Sequence, residues 1–108
     1  MSYKIFTIPQ FDKDIKKLSK KYPAIKQDIA ELGKLLEENP FIGDEIIKGC
    51  YKIRMAITGK GKGKSGGARV ITHVFVEKEN ITLLTIYDKS QKITLSDSEI
   101  KALLNCIK

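Results

Sequence analysis

The chain has 108 residues, of which 42% are hydrophobic and 31% are charged, with a formal net charge of +7. These values exclude a disordered or fibrous protein and allow one domain, residues 1–108, with a core that needs no disulfide or metal to hold it together. No run approaches the ~18 apolar residues of a membrane span, and the N-terminus lacks the pattern of a signal peptide. We therefore expect a cytoplasmic protein that does not associate with membranes.

The two cysteines, Cys50 and Cys106, lie far apart and outside any CxxC or His-rich cluster that could hold zinc. The sequence also lacks paired carboxylates and Cys-His arrangements with the spacing of a catalytic or metal site. It therefore predicts reduced thiols, no metal and no small-molecule cofactor.

The first elements are a strand and two helices. Tyr3–Ile8 alternates weakly before Pro9, which lacks a backbone donor, and this favours a short edge strand. Two apolar stripes with helical spacing follow, separated by Pro23 and ended by Glu38-Asn39-Pro40. The first stripe is Phe11, Ile15, Leu18 and Tyr22, and the second is Ile25, Ile29, Leu32 and Leu36, with Leu35 alongside. The pattern predicts a helical hairpin.

The second half is predicted to be mainly strands. Its elements are a loop at Phe41–Lys48, a strand from Cys50, a lysine-glycine loop at Gly59–Gly67, a strand at Ala68–Glu77, a turn at Glu79-Asn80, a strand at Ile81–Tyr87 and a break at Asp88–Lys92. Ser96-Asp97-Ser98-Glu99 then has the spacing of a capping box. The apolar residues that follow, Ile100, Leu103, Leu104 and Ile107, predict a short final helix.

Alternation divides the side chains of the first two of these strands between two faces. One face carries Tyr51, Ile53, Met55, Ile57, Val70, Thr72, Val74 and Val76, and the other carries Lys52, Arg54, Ala56, Thr58, Arg69, Ile71, His73 and Phe75. If the first face packs on the hairpin, the cationic side chains share the opposite face. The predicted fold class is α+β: an N-terminal strand, a helical hairpin, then an antiparallel sheet with a short C-terminal helix.

The positive charge is concentrated in Lys48–Arg69, about one-fifth of the chain. This segment holds seven of the 20 basic residues and no acidic residue, so the remaining 13 basic residues balance the 13 acidic ones. Clustered cations attract polyanions, which favours a phosphate-rich partner over a merely solvated basic loop. A P-loop is excluded, because Thr58 stands where that motif needs glycine and a strand follows the loop. Lys60, Lys62 and Lys64 are instead candidates for binding an RNA backbone, and the alternative is that the loop is only a disordered connection between two strands.

The candidate catalytic residues lie on the flanking strands. Lys52 and Arg54 are two residues apart, roughly 6.6 Å on one strand face, close to the spacing of successive phosphates. Arg69 on the neighbouring strand adds a third cation, although a solvated strand face explains the same pattern. His73 is the only histidine and the obvious acid-base candidate, or else a structural residue. Tyr87 either reaches the rim of a cleft or anchors the edge of the core.

Three segments resemble one known family. They are CYKIR at Cys50–Arg54, GKGKSGGARVI at Gly61–Ile71 and LLTIYDKSQKITLSDSEIKAL at Leu83–Leu103. The chain is similar over nearly its whole length to the RelE/ParE toxin superfamily, nearest its RelE and HigB-like branch. The resemblance implies a microbial ribonuclease-like α+β fold.

The resemblance also implies a type II toxin that enters the ribosomal A site, cleaves mRNA and is inhibited by a cognate antitoxin. Cleavage would proceed by 2′-OH attack without a metal, and cations would stabilise the transition state. Lys52, Arg54 and Arg69 fall on basic positions of the family site, and Lys89 falls in the basic segment of the family's last strand.

The sequence departs from better-known members, which often have Tyr or His near the C-terminus and another arginine after the last strand. Here the C-terminus has neither, and Gln91 stands about where that arginine is expected. The general base stays open between Lys52 and His73, or the ribosome supplies part of the chemistry. The alternative functions are a ParE-like gyrase inhibitor that does not cleave RNA and an RNA-binding module without catalysis.

Overall fold

The structure is a computed structural model and describes residues 2–91 and 95–107. Its elements are β1 (Lys4–Thr7), α1 (Pro9–Lys21), α2 (Ile25–Glu38), β2 (Asp44–Ile47), β3 (Cys50–Met55), β4 (Ala68–Phe75), a 3-10 turn (Val76–Lys78), β5 (Asn80–Asp88) and α3 (Asp97–Leu104). The predicted α+β class and the helical hairpin are confirmed. The break expected at Asp88–Lys92 begins where β5 ends, and Lys92 itself lies outside the described residues.

The strands form one sheet in the order β1-β5-β4-β3-β2. β1 is an edge strand, as predicted, and pairs in parallel with β5. The pairs β2–β3, β3–β4 and β4–β5 are antiparallel. The sheet is therefore mixed, with one parallel pair and three antiparallel pairs.

The prediction of a loop at Phe41–Lys48 was wrong, because Asp44–Ile47 forms β2 and pairs with β3. Gly49 has a φ of 81° and completes a tight turn between the two strands. A bulge between Glu45 and Ile47 interrupts the pairing. An extra residue in a strand breaks its alternation, so the usual sequence signal of a strand is missing here.

The core lies between the hairpin and the sheet. Its helical members include Phe11, Ile25, Leu32 and Leu36, and its strand members include Ile53, Val70, Leu84 and Ile86. Burying each large aliphatic side chain stabilises the fold by roughly 1.5–3 kcal/mol. Leu35, expected beside the second stripe, is 61% exposed because one residue turns the helix by about 100°.

The predicted capping box of α3 is confirmed. Ser96 Oγ accepts from Glu99 N at 3.2 Å, and Ser96 N donates to Glu99 Oε1 at 3.0 Å. Ile100 in the first turn of α3 is buried and lies over Ile71, on the face of the sheet that carries Lys52. Neither α3 nor any other described helix has the length and apolar content to cross a membrane.

Candidate functional site

The strand register arranges three of the candidate side chains in one row. Arg54 on β3 is opposite Arg69 on β4, and Arg69 is opposite Tyr87 on β5. Lys52 is opposite Ile71 in the next row of the same face. Because alternate residues of a strand share a face, Lys52, Arg54, Arg69 and Tyr87 all belong to one side of the sheet.

Arg54 and Arg69 differ in what their guanidinium groups contact. Arg54 is exposed, whereas Arg69 is only 4% exposed. Arg69 Nη1 donates to the carbonyl oxygens of Lys64 at 3.1 Å and Ala68 at 3.2 Å, and Nη2 donates to that of Ser65 at 3.1 Å. The terminal nitrogens of Arg69 therefore bind the backbone of the lysine-glycine loop, while Arg54 faces solvent.

Lys52 lies beneath α3. It is half-buried and contributes to a cavity of about 160 Å³ between the sheet and α3. The other residues around this cavity are Ile46, Ile71, Tyr87, Leu95, Asp97 and Ile100. Lys52 thus occupies a partly enclosed position beside the open row of Arg54 and Arg69.

Tyr87 lies between this cavity and a larger one. The larger cavity, of about 570 Å³, is bounded by α1, the end of β5 and α3. The Tyr87 hydroxyl is buried and has no hydrogen-bond partner in the described part of the chain. Burial raises the pKa of Tyr87, although the charge of Arg69 acts in the opposite direction. The phenol is therefore a proton donor near neutral pH.

Lys60 forms a buried ion pair with Asp88. Their side chains are 10% and 1% exposed, and Lys60 Nζ lies 2.5 Å from Asp88 Oδ1 and 3.2 Å from Ser90 Oγ. Ser90 donates from its N–H at 2.9 Å and its hydroxyl at 2.8 Å to the same Asp88 oxygen. Burial alone would raise the pKa of Asp88, but the hydrogen bonds and charge of Lys60 and the Ser90 bonds lower it to about 2.

Lys62 and Lys64 are the solvated cations of the loop. Both are exposed, and neither forms an ion pair within residues 2–91 and 95–107. Lys89 is half-buried, and its N–H donates to the carbonyl oxygen of Gly67 at 3.0 Å, beside the end of the loop. Of the residues predicted to bind RNA from this loop, Lys62 and Lys64 are free to do so, whereas Lys60 is engaged by Asp88.

His73 lies away from the arginine row. It is opposite Cys50 on β3 and Thr82 on β5, and it is four residues from Arg69, roughly 13 Å along the strand. Burial lowers the pKa of His73, so its imidazole is neutral near pH 7. The structure places His73 on the predicted face but not beside Arg54 and Arg69.

Among the described residues, no group of three or more His, Cys, Asp or Glu side chains is arranged to hold a metal ion. Both cysteines are free. Burial, together with the charge of Glu45, raises the pKa of Cys50 to about 11, so it carries no thiolate at neutral pH.

Sequence reasoning missed Asp88 and Asp28. Asp28 on α2 accepts from Thr58 N at 2.9 Å and from Thr58 Oγ1 at 2.6 Å, just before the loop. Asp88 directly follows the apolar run of β5, which marks it as a carboxylate at the edge of the core. Its partner Lys60 is 28 residues earlier, and no local pattern connects the two.

No family model matches the chain. The fold is similar to solved structures of the Escherichia coli toxin RelE. The free state of an arginine-to-alanine double mutant aligns with a TM-score of 0.63 and 16% identity over 99% of this chain and 100% of that one. The isolated toxin aligns with a TM-score of 0.56 and 20% identity over 98% of this chain and 100% of that one.

A third RelE structure contains the same double mutant bound to a peptide of its antitoxin, RelBc. It aligns with a TM-score of 0.58 and 21% identity over 100% of this chain and 97% of that one. The alignments cover nearly all of both chains, so they compare whole domains rather than a shared fragment. The chain therefore has the α+β fold of the RelE toxin structures.

Proposed function

We propose that this protein is the toxin of a type II toxin-antitoxin pair and cleaves mRNA on the ribosome. The observation that carries the proposal is the row of Arg54, Arg69 and Tyr87, with Lys52 in the adjacent row, on one face of a RelE-like sheet. The exposed lysines at positions 62 and 64 extend the positive charge beyond this row. A cationic surface of this kind favours a polyanionic backbone as its ligand.

The proposed reaction is attack of an RNA 2′-OH on the adjacent phosphorus. The bond to the 5′ oxygen breaks, leaving a 2′,3′-cyclic phosphate and a 5′-OH. A base must accept the 2′-OH proton, and an acid must protonate the departing oxygen. Cations stabilise the additional negative charge of the pentavalent transition state, so the reaction needs no metal.

Within this reaction, we assign the transition-state contact to Arg54, which is exposed and forms no ion pair in the described residues. Lys52 is the candidate base or phosphate ligand in the neighbouring row. Tyr87 carries a buried, unpartnered hydroxyl between the two cavities and is suited to contact the RNA or donate a proton. Arg69 was predicted for direct contact, but its bonds to three carbonyl groups favour an indirect role.

Primer extension on an mRNA bound by programmed ribosomes tests the proposal. We expect cuts in the ribosome-bound message and little cleavage of the same RNA without ribosomes. A triple alanine variant at Lys52, Arg54 and Arg69 should fold and lose the activity. Intact mRNA at high toxin concentration and low salt would overturn the assignment, and full activity of the folded triple variant would show that the site lies elsewhere.

The proposal includes a cognate antitoxin as partner. The support is that one of the structurally similar RelE toxins was solved with an antitoxin peptide. Co-expression with the product of the neighbouring reading frame should yield a stable complex that does not cleave mRNA. Unchanged cleavage in the presence of that product would exclude it as the antitoxin.

One observation favours an alternative without RNA cleavage. The one histidine is roughly 13 Å along β4 from Arg69, so the arginine row lacks an adjacent imidazole base. A ParE-like gyrase inhibitor or an RNA-binding module needs no such base. Inhibition of DNA supercoiling by gyrase, with mRNA left intact, would support the gyrase alternative. Ribosome binding without cleavage or gyrase inhibition would support the RNA-binding module.

A further inference from the structure

The lysine-glycine loop, Gly59–Gly67, is tied to the domain at its entrance. Asp28 of α2 accepts two hydrogen bonds from Thr58, the residue before the loop. Lys60, the second loop residue, then inserts its ammonium group beside Asp88 at the end of β5. One helix, α2, and one strand, β5, thus hold the first residues of a segment whose composition is that of a flexible linker.

The loop is tied again at its exit. Arg69 binds the carbonyl oxygens of Lys64 and Ser65. Gly67 passes so close to β3 that a Cβ atom there would lie 2.2 Å from the carbonyl oxygen of Met55. The structure thus explains two residues of the GGAR segment. Gly67 permits the close approach to β3, and Arg69 holds the residues before it through their carbonyl groups.

These contacts at the two ends of the loop determine which of its lysines face solvent. Lys60 points inwards, whereas Lys62 and Lys64 remain exposed. Because Arg69 contacts the Lys64 carbonyl and is itself opposite Arg54, the fastened loop lies next to the arginine row. Gly61 and Gly63 have φ values of 73° and 64°, which a chain folded in this way requires of glycine.

We propose that Lys60 and Arg69 are positioning residues, which fold the loop so that Lys62 and Lys64 meet the RNA backbone beside Arg54, and which do not themselves contact phosphate. The inference rests on the proposed function for its ligand, but the fastening of the loop stands on the contacts alone. A phosphate could recruit Lys60 only by leaving the buried Asp88 carboxylate without its cation, which is unfavourable.

Asp88→Asn distinguishes a Lys60 that positions the loop from a Lys60 that binds phosphate, because the two roles predict opposite changes in RNA affinity. The substitution removes a negative charge and releases Lys60, so a phosphate-binding Lys60 would make RNA binding tighter. A positioning Lys60 predicts the opposite, because the loop loses its tie. We expect binding of a labelled 12-nucleotide single-stranded RNA to weaken about fivefold and amide exchange at residues 61–66 to become about tenfold faster.

Lys60→Gln and Lys60→Met form a matched pair in case Asp88→Asn does not fold. Both remove the same charge, but only glutamine can still donate to Asp88 and Ser90. Positioning predicts a smaller loss of RNA binding and a smaller increase in loop exchange for Lys60→Gln, which keeps the hydrogen bond, than for Lys60→Met, which loses it as well. Equal losses in the two variants, or tighter binding by Asp88→Asn, would overturn the proposal for Lys60.

Arg69→Lys and Arg54→Lys provide the corresponding comparison for the arginine. Lysine keeps the charge but cannot place two nitrogens on separate carbonyl groups. We expect faster loop exchange and weaker RNA binding in Arg69→Lys, and wild-type loop exchange in Arg54→Lys. Wild-type loop exchange in Arg69→Lys would overturn the role of Arg69. If the wild-type protein binds neither this RNA nor ribosomes, the proposed function fails, while the exchange measurements still decide how the loop is held.

Discussion

The helical hairpin and the lysine-glycine loop are held by different kinds of contact. Residues such as Ile25, Leu32 and Leu36 of the hairpin enter the core through apolar contacts, which many neighbours share. The loop depends on a few polar contacts made by Asp28, Asp88 and Arg69. Truncating a buried aliphatic side chain leaves a cavity, whereas removing one member of a buried ion pair leaves the other charge without its partner. The two regions should therefore respond differently to substitution and pH.

The largest expected effect is in the hairpin. Leu36→Ala should lower the free energy of unfolding by about 3 kcal/mol, because the side chain is fully buried and its removal leaves a cavity. Urea denaturation measures the loss, and loop amide exchange in the folded variant should stay as in wild type. Leu35→Ala, at the exposed neighbouring position, is the control and should change stability by less than about 0.5 kcal/mol. Equal losses at the two positions would contradict the assigned helix face.

The next largest loss of stability is expected at the Lys60–Asp88 ion pair, and it depends on pH. Asp88→Asn should cost about 2 kcal/mol at pH 7, since it removes a charge-assisted hydrogen bond. The pKa of folded Asp88 is about 2, below the ordinary 3.8, so the ionised carboxylate stabilises the fold above that ordinary value. This stabilisation is lost as pH falls towards the folded pKa.

The difference in unfolding free energy between wild type and Asp88→Asn should therefore shrink between about pH 4 and pH 2. Urea titrations of both proteins at pH 7, 4 and 2.5 measure it. A difference that stays constant over this range would mean that the Lys60–Asp88 ion pair does not provide the stability that Asp88→Asn loses.

A smaller effect is expected at the start of α3. Ser96→Ala should destabilise the protein by about 1 kcal/mol, because the Glu99 N–H loses its side-chain acceptor. Ser98→Ala removes only a contact between two hydroxyl groups and should have less effect. Thermal denaturation of the two variants measures the difference, and the opposite ranking would contradict the assigned cap.

The smallest effects are expected at the exposed loop lysines. Lys62→Met and Lys64→Met should each weaken single-stranded RNA binding and reduce its slope against log salt by about 0.7, the loss of one phosphate contact. Stability should not change, because neither side chain forms an ion pair in the described residues. Lys78→Met, which removes an exposed lysine from the 3-10 turn, is the control and should leave the slope unchanged.

The comparison of these regions explains what the sequence could predict. Hairpin stripes, the capping box at Ser96 and the apolar run of β5 are local patterns with a fixed spacing, and each was confirmed in the structure. β2 was missed because its bulge removes the alternation that identifies a strand. Local order therefore followed from the sequence over most of the chain. The strand predicted to continue to Glu77 was wrong at its end, because β4 ends at Phe75 and Val76 lies exposed in the 3-10 turn.

The candidate site was less predictable. Alternation assigned Lys52, Arg54 and Arg69 to one face, but only the strand register shows that Arg54 and Arg69 share a row with Tyr87. Nothing in the sequence connects Lys60 with Asp88, 28 residues later, so the loop lysines looked equivalent. Their different burial follows from long-range contacts that no local spacing encodes.

The most direct test of the account compares Arg54→Met with Lys78→Met in cleavage of mRNA on programmed ribosomes. Both variants lose one exposed cation, but only Arg54 belongs to the row across β3, β4 and β5. We predict that Arg54→Met lowers the single-turnover cleavage rate about 100-fold, as expected for loss of a transition-state contact, and that Lys78→Met retains the wild-type rate. Equal rates for the two variants, or no cleavage by the wild-type protein, would contradict the account.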